Sequence, residues 1–407
     1  MAEGKAQWDL LSDDFLADPY PTYQAMRDSG QPLLWSEDLG CWLVFRYAHV
    51  SNLLRDKRIL KDPRYSRLTP TEQASELLMM KSRWMLYRDG PFHSRMKQLQ
   101  THVLSPRANG GLDEVARTVV DELLKHVKTG EWFDVMEVLA LDLPYIIIST
   151  LLGVPDGDRA ELRHWSRDLF GTLEPGMTQE KWDLGEEAAK RLREYFAQLL
   201  TANTMPPSAS MMAQYRRALE LGRAPGEDIE ATCALMFLTG HETTSYFLGN
   251  AILALSRNPE QLAYVESGGL SSAAISELLR FEGPVHNTSR VAATDLAVDG
   301  QQVREGDRLL FLLGSANRDE DVFHDAARLD LRRKPSPQHL SLGGGPHYCP
   351  GAWLAQEQAL AALRRLLSIG QFWTIDEKRT VWRRSSQVRG PESLWLRLGL
   401  SSYSESH

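Results

Sequence analysis

Apolar residues recur at helical spacing through most of this chain, and no other property narrows its fold as much. The period is clear around Gly111 to Lys128, Glu186 to Asn203, Glu227 to Ser256, Ser271 to Phe281 and Ala352 to Leu367. Stretches with strand character are short and scattered: Cys41 to Arg46, Leu296 to Val298 with Gln301 to Val303 about Asp299-Gly300, and Leu394 to Leu398. The expected fold is mainly α with small peripheral β-sheets.

Pro and Gly clusters at Pro63 to Pro70, Glu174 to Thr178, Met205 to Ser210 and Arg333 to Pro337 read as loops. None is a long low-complexity linker and no repeat recurs at a fixed period, so residues 1–407 are expected to form one domain. With 43% hydrophobic and 25% charged residues, the composition is that of a globular protein with a sizeable core. The formal net charge of -8 argues against a nucleic-acid binder, which needs a basic excess. Charged residues break Met1 to Tyr23, and the longest apolar stretches, such as Tyr145 to Val154, are too short to span a bilayer. A cytoplasmic chain without a membrane anchor is expected. The three cysteines, Cys41, Cys233 and Cys349, show neither zinc spacing nor a disulfide framework.

One segment carries specific chemistry: Leu342-Gly343-Gly344-Gly345-Pro346-His347-Tyr348-Cys349-Pro350-Gly351-Ala352. Its glycines permit positive φ and close approach of a flat ligand, and Pro350 suits the first position of a helix. Cys349 then lies at a helix N-terminus, where unpaired N–H groups favour a thiolate, either as metal ligand or as nucleophile. A Cys/His hydrolase fits poorly, because His347 is only two residues away and such partners usually come from distant segments. Taken alone, the segment is also compatible with an inert buried cysteine.

This segment resembles the ligand loop of the cytochrome P-450 family, F-G-x-G-x-H-x-C-x-G, with Leu342 standing where Phe is usual. The resemblance implies haem b with Cys349 as axial thiolate, which favours O–O cleavage, and places Leu342, Gly343 and Gly351 against the cofactor. Leu238-Thr239-Gly240-His241-Glu242-Thr243-Thr244 looks like the family's oxygen-activation segment, with Glu242 and Thr243 as the acid-alcohol pair and Gly240 thinning the helix. Thr239 departs from the usual Ala or Gly. A zincin is ruled out there, since H-E-x-x-H requires His where Ser245 stands. Glu277-Leu278-Leu279-Arg280 matches the structural E-x-x-R signature, followed in order by Asn317-Arg318-Asp319 and Phe323. For the haem propionates the resemblance points to His93, Lys97, Arg290 and His347; Arg is commoner at Lys97, so a bidentate fork is replaced by a point charge. The similarity runs from about Asp14 to Gly390 and implies a triangular, mostly α fold.

By position in that family the substrate pocket is expected to be lined by Met85, Leu86, Leu235, Thr239, Val285, His286, Asn287, Gln387 and Val388. The lining is mostly apolar with a few polar groups, which suits a lipophilic natural product such as a polyketide or terpenoid. The stretch Leu77 to Tyr87 reads either as a pliable lid or as core. No G-x-G-x-x-G fingerprint is present, so electrons are expected from a separate ferredoxin and its reductase, docked on a basic face of Arg95, Lys97, Arg332, Arg333, Arg364 and Arg365. The protein is expected to be a monomer. Alternatives within the resemblance are a peroxide-driven peroxygenase, a type that lacks the acid-alcohol pair, and a non-catalytic haem sensor, which turnover with redox partners would separate. Which oxidation is performed, hydroxylation foremost, is a property of the pocket.

Overall fold

The structure, a computed structural model, describes residues 8–67, 75–104, 111–173, 178–202, 210–334 and 336–399. The four loops expected from Pro and Gly clusters each extend outside those residues. Eight helices position the site: α1 (Gly90–Val103), α2 (Leu112–Leu123), α3 (Asp142–Leu152), α4 (Arg159–Gly171), α5 (Gln179–Thr201), α6 (Gly226–Arg257), α7 (Ser272–Glu282) and α8 (Ala352–Ile369). The five stretches with helical periodicity are α2, α5, α6, α7 and α8. Their ends carry ordinary caps: Thr178 Oγ1 accepts from the Lys181 amide at 3.3 Å, and Ser271 Oγ from the Ala274 amide at 3.3 Å.

Helix α6 is the axis of the fold. It is buried on every side over Ala231–Leu238 and Thr244–Leu255, as an all-round apolar helix must be. It packs against α3, α4, α5, α7 and α8. The approach to α3 is close at Gly240, where a Cβ would come within 2.9 Å of the Ile148 side chain.

The sheets are small. A five-stranded sheet has the order Leu34–Ser36, Cys41–Val44, Arg308–Leu312, Asn287–Ala292, Ile59–Leu60, with Cys41–Val44 and Arg308–Leu312 parallel and the other pairs antiparallel. Trp395–Gly399 lies between Trp132–Asp134 and Phe372–Ile375 in an antiparallel sheet. Leu296–Val298 pairs with Gln301–Val303 through Asp299 (φ 45°) and Gly300 (φ 86°), the positive-φ pair that a two-residue hairpin turn demands.

One local expectation needs correction. Helix α8 starts at Ala352 with Gly351 as its N-cap, so Pro350 precedes the cap and is not the first helical residue. The reason lies in Gly351, whose amide is directed to the Cys349 sulfur and so belongs to the loop. The oxygen-activation segment lies within the long helix as expected, Gly226–Arg257, and its hydroxyls bond back to carbonyls four residues earlier. No helix among the described residues is long and apolar enough to cross a membrane.

Candidate active site

Most of the residues singled out in the sequence line one cavity of about 500 Å³; Glu242, Glu277, Arg280 and His286 lie outside it. The cysteine loop closes part of it. Cys349 donates its amide to Leu342 O at 2.9 Å, and Gly343 donates to Leu340 O at 2.8 Å, folding the loop into a tight hairpin. Gly343 (φ 72°) and Gly345 (φ 62°) hold left-handed conformations that side chains disfavour, and a Cβ on Gly345 would run into the Leu54 backbone carbonyl. The loop therefore rests directly on backbone and presents Leu342, Gly343, Cys349 and Gly351 to the cavity. Burial pushes the Cys349 thiol up, while the Gly351 amide and the Lys97 charge act in the thiolate's favour.

Asp89, at the N-cap of α1, holds this region together. It makes no side-chain cap; its carboxylate is engaged elsewhere. Oδ2 accepts the Lys61 and Asp62 amides at 2.8 and 2.9 Å, and Oδ1 lies 2.9 Å from His347 Nε2. One carboxylate thus joins the segment after Ile59–Leu60, the head of α1 and the cysteine loop. Burial acts to raise the Asp89 carboxyl, but His347 and the two amides outweigh it and hold it below the usual range.

His93, Lys97, Arg290 and His347 all line the cavity. The His93 and His347 rings are 4.2 Å apart. Burial first, then His347 and Lys97, drive His93 down to about 4, so it is neutral at physiological pH. The Lys97 ammonium donates to Tyr348 O at 3.0 Å and to Pro346 O, bracing the cysteine loop from within the cavity lining. The reason is its single compact charge, which settles on the loop carbonyls within reach. Arg290 donates through Nη1 to Thr288 Oγ1 at 3.0 Å and Ser289 O at 2.7 Å.

On α6, Thr239, Gly240, Thr243 and Thr244 line the cavity. Thr239 Oγ1 donates to Leu235 O at 2.8 Å, and Thr243 Oγ1 to Thr239 O at 3.0 Å. Glu242 is buried and is not part of the lining. Its Oε1 is 3.6 Å from His241 Nε2. Burial acts to raise its carboxyl, but His241, Arg383 and Arg167 hold it below the ordinary range. The acid and the alcohol therefore diverge, since neighbours on a helix point about a hundred degrees apart.

Of the expected pocket residues, Met85, Leu86, Leu235, Thr239, Val285, Asn287, Gln387 and Val388 line the cavity. His286 does not. Adjacent residues alternate sides in extended backbone, and its ring lies buried against Tyr20 and Tyr23, with Nδ1 3.3 Å from the Tyr23 hydroxyl. Asn287 spends its amide on Ser386 O at 2.7 Å. The Leu77 to Tyr87 stretch divides: Leu77, Met80 and Trp84 are core, whereas Met85, Leu86 and Tyr87 face the cavity. Phe170, Leu173 and Phe247 also line it and had no local signal in the sequence.

Glu277 and Arg280, three apart on α7, form a buried bidentate pair at 2.7 and 2.8 Å. Arg280 also donates to Asn317 O and Ala326 O, and Arg333 reaches Glu277 at 3.1 Å. Arg333 thus takes part in the Glu277–Arg280 cluster. Arg95 and Arg365 are likewise paired, with Asp228 at 3.5 Å and Asp121 at 2.8 Å. Both of these guanidinium groups remain partly exposed beside their acids.

The walls are apolar, one end is cationic, and a thiol faced by an amide stands in the cysteine loop. This donor set fits a flat apolar ligand with carboxylates at one edge and a soft metal centre, which describes haem b. The comparisons agree. The profile of the family described as cytochrome P-450 matches residues 270–383. The chain is 33% identical over 403 residues to the cytochrome P-450 monooxygenase PikC of Streptomyces venezuelae, covering 95% of this chain and 92% of that one. It is 31% identical over 361 residues to a biotin biosynthesis cytochrome P-450 of Bacillus subtilis, covering 88% and 90%. The solved structure of epothilone B-bound cytochrome P-450epoK superposes with a TM-score of 0.88 at 26% identity, covering 97% and 100%.

The fold and the cavity define a haem-thiolate oxidoreductase. The chain belongs to the cytochrome P-450 family, and so is a monooxygenase with a cysteine-ligated haem b.

Proposed function

We propose that this chain oxidises, foremost by hydroxylation, a lipophilic natural product of polyketide, terpenoid or related type, with Cys349 as the residue that would hold the haem iron and electrons from a separate ferredoxin and its reductase. The observation that carries the reading is that Cys349, Thr243 and a polar cluster of the Arg290 cation with His93 and His347 line one cavity with a mostly apolar remainder. A thiolate-ligated haem supplies oxygen activation when bound. The chain's own residues supply the rest. Met85, Leu86, Leu235, Val285 and Val388 exclude water and hold an apolar substrate, while Thr239, Asn287 and Gln387 offer polar contacts that orient it. Thr243 holds a hydroxyl proton at the cavity, bonded to Thr239 O. Glu242, whose carboxylate form His241, Arg383 and Arg167 favour, stands behind it as a relay that takes up a proton from water before passing one towards the cavity. Lys97 and Asp89 position the cysteine loop. The solved neighbour bound to epothilone B supports a substrate larger than a simple alkane.

A reduced carbon-monoxide difference spectrum tests the ligand. The wild type is expected to give the thiolate-haem band near 450 nm and Cys349→Ala to lose it; a band from intact wild type near 420 nm would overturn the reading. Thr243→Ala is expected to keep haem and the 450 nm band while diverting electrons to hydrogen peroxide. Unchanged coupling of electron use to product would remove Thr243 from proton delivery.

A further inference from the structure

Lys61 has no place in the site as read from the sequence, yet it is buried in the cationic end of the same cavity. The sheet puts it there. Ile59 and Leu60 pair antiparallel with Ala292 and Val291, so one step further along the register Lys61 comes opposite Arg290. Its ammonium donates to Thr288 Oγ1 at 2.9 Å and Ser289 O at 3.2 Å. Those are the two oxygens that Arg290 also uses, at 3.0 and 2.7 Å.

Two buried cations on shared neutral acceptors are unfavourable without an anion. Among the described residues, no carboxylate lies within ion-pair distance of either. The nearest acid, Asp89, is committed to His347 and to two backbone amides, and Asp62 pairs with Arg64. Burial first and Arg290 second hold the Lys61 ammonium well below a lysine's ordinary range. Lys97, the expected point charge, is tied to the carbonyls of the cysteine loop.

We infer that Lys61 is a second cationic anchor for the haem carboxylate that Arg290 receives, and that its charge stabilises the reduced cofactor. The inference rests on the haem reading above. It adds Lys61 to Arg290 and Lys97 among the cations at that end of the cavity. Lys61 acts as a positioning and potential-setting group, with no part in bond making.

The test uses the full-length holoprotein, with Lys61→Met removing the charge, Lys61→Gln as a smaller polar alternative should the Met variant fail to fold, and Lys61→Arg restoring the charge. The ferric/ferrous midpoint potential is measured for each, together with the rate of haem transfer to an excess of a haem-free acceptor protein. The charge-removing variants are expected to favour the ferric form by roughly tenfold, about 59 mV for one electron, and to release haem several-fold faster. Lys61→Arg is expected to return both towards wild type. A potential that stays at the wild-type value in the Met and Gln variants overturns the inference, even if haem leaves faster, because packing alone would then explain the loss. A wild type without the 450 nm band would instead bring down the haem reading itself.

Discussion

At the residue scale the site depends on a few positions where one atom decides the outcome. Gly345 is such a position, since its φ of 62° and the Leu54 carbonyl beside it both exclude a side chain. Gly345→Ala carries a left-handed penalty of about 1–2 kcal/mol before any clash. It is expected to lower the melting temperature and the haem content together, because the loop that carries Cys349 must lift away from Leu54. A variant with wild-type haem occupancy and melting would refute this account. Asp89 shows the complementary case: it occupies the N-cap of α1, yet its oxygens serve Lys61, Asp62 and His347, all on other elements.

At the element scale, α6 fits tightly among its neighbours. Gly240→Ala places a methyl 2.9 Å from Ile148 on α3, so one helix must shift. A loss of about 1–3 kcal/mol is expected on the scale of overpacked cores, read by chemical denaturation, and Ile148→Val in the same chain should recover part of it by making room. No recovery would place the strain elsewhere. Helix α7 is fastened differently, by the buried pair of Glu277 and Arg280 with Arg333 added. Glu277→Gln leaves two guanidinium groups without their carboxylate and is expected to cost about 3–5 kcal/mol, the scale for breaking a buried ion pair. Denaturant unfolding of the variant measures this; a loss below 1 kcal/mol would show that backbone carbonyls alone satisfy Arg280.

For the whole molecule, buried imidazoles set the response to acid. Burial first, then Arg389 and Arg318, drive His286 down to about 3, and burial first, then Arg280, drives His339 to about 4 against the opposing pull of Glu277. In the unfolded chain both titrate near their ordinary value of 6.5. Between those values and 6.5 the unfolded state binds more protons, so stability rises with pH through that window. The stabilisation is complete above about 6.5 and is lost progressively as the pH falls below it. Melting temperature against pH is expected to decline below about 6.5, and His286→Gln to flatten the decline. A wild-type profile level down to about pH 5 would contradict the linkage.

Much of this protein was legible in the sequence because the deciding signals are local. Helical periodicity marks α2, α5, α6, α7 and α8, and Asp299-Gly300 marks a hairpin, since backbone conformation depends on neighbouring residues. Gly343 and Gly345 around Cys349 announce a tight loop for the same reason. What the tertiary structure alone decided is where side chains point and what they meet. It turned His286 into the core, drew Lys97 onto the cysteine loop, drew Arg333 into the Glu277 cluster, and brought Lys61 opposite Arg290 through the pairing of Ile59–Leu60 with a strand more than 220 residues away. Such contacts depend on strand register and helix packing between distant segments, and no local pattern in a single chain encodes them.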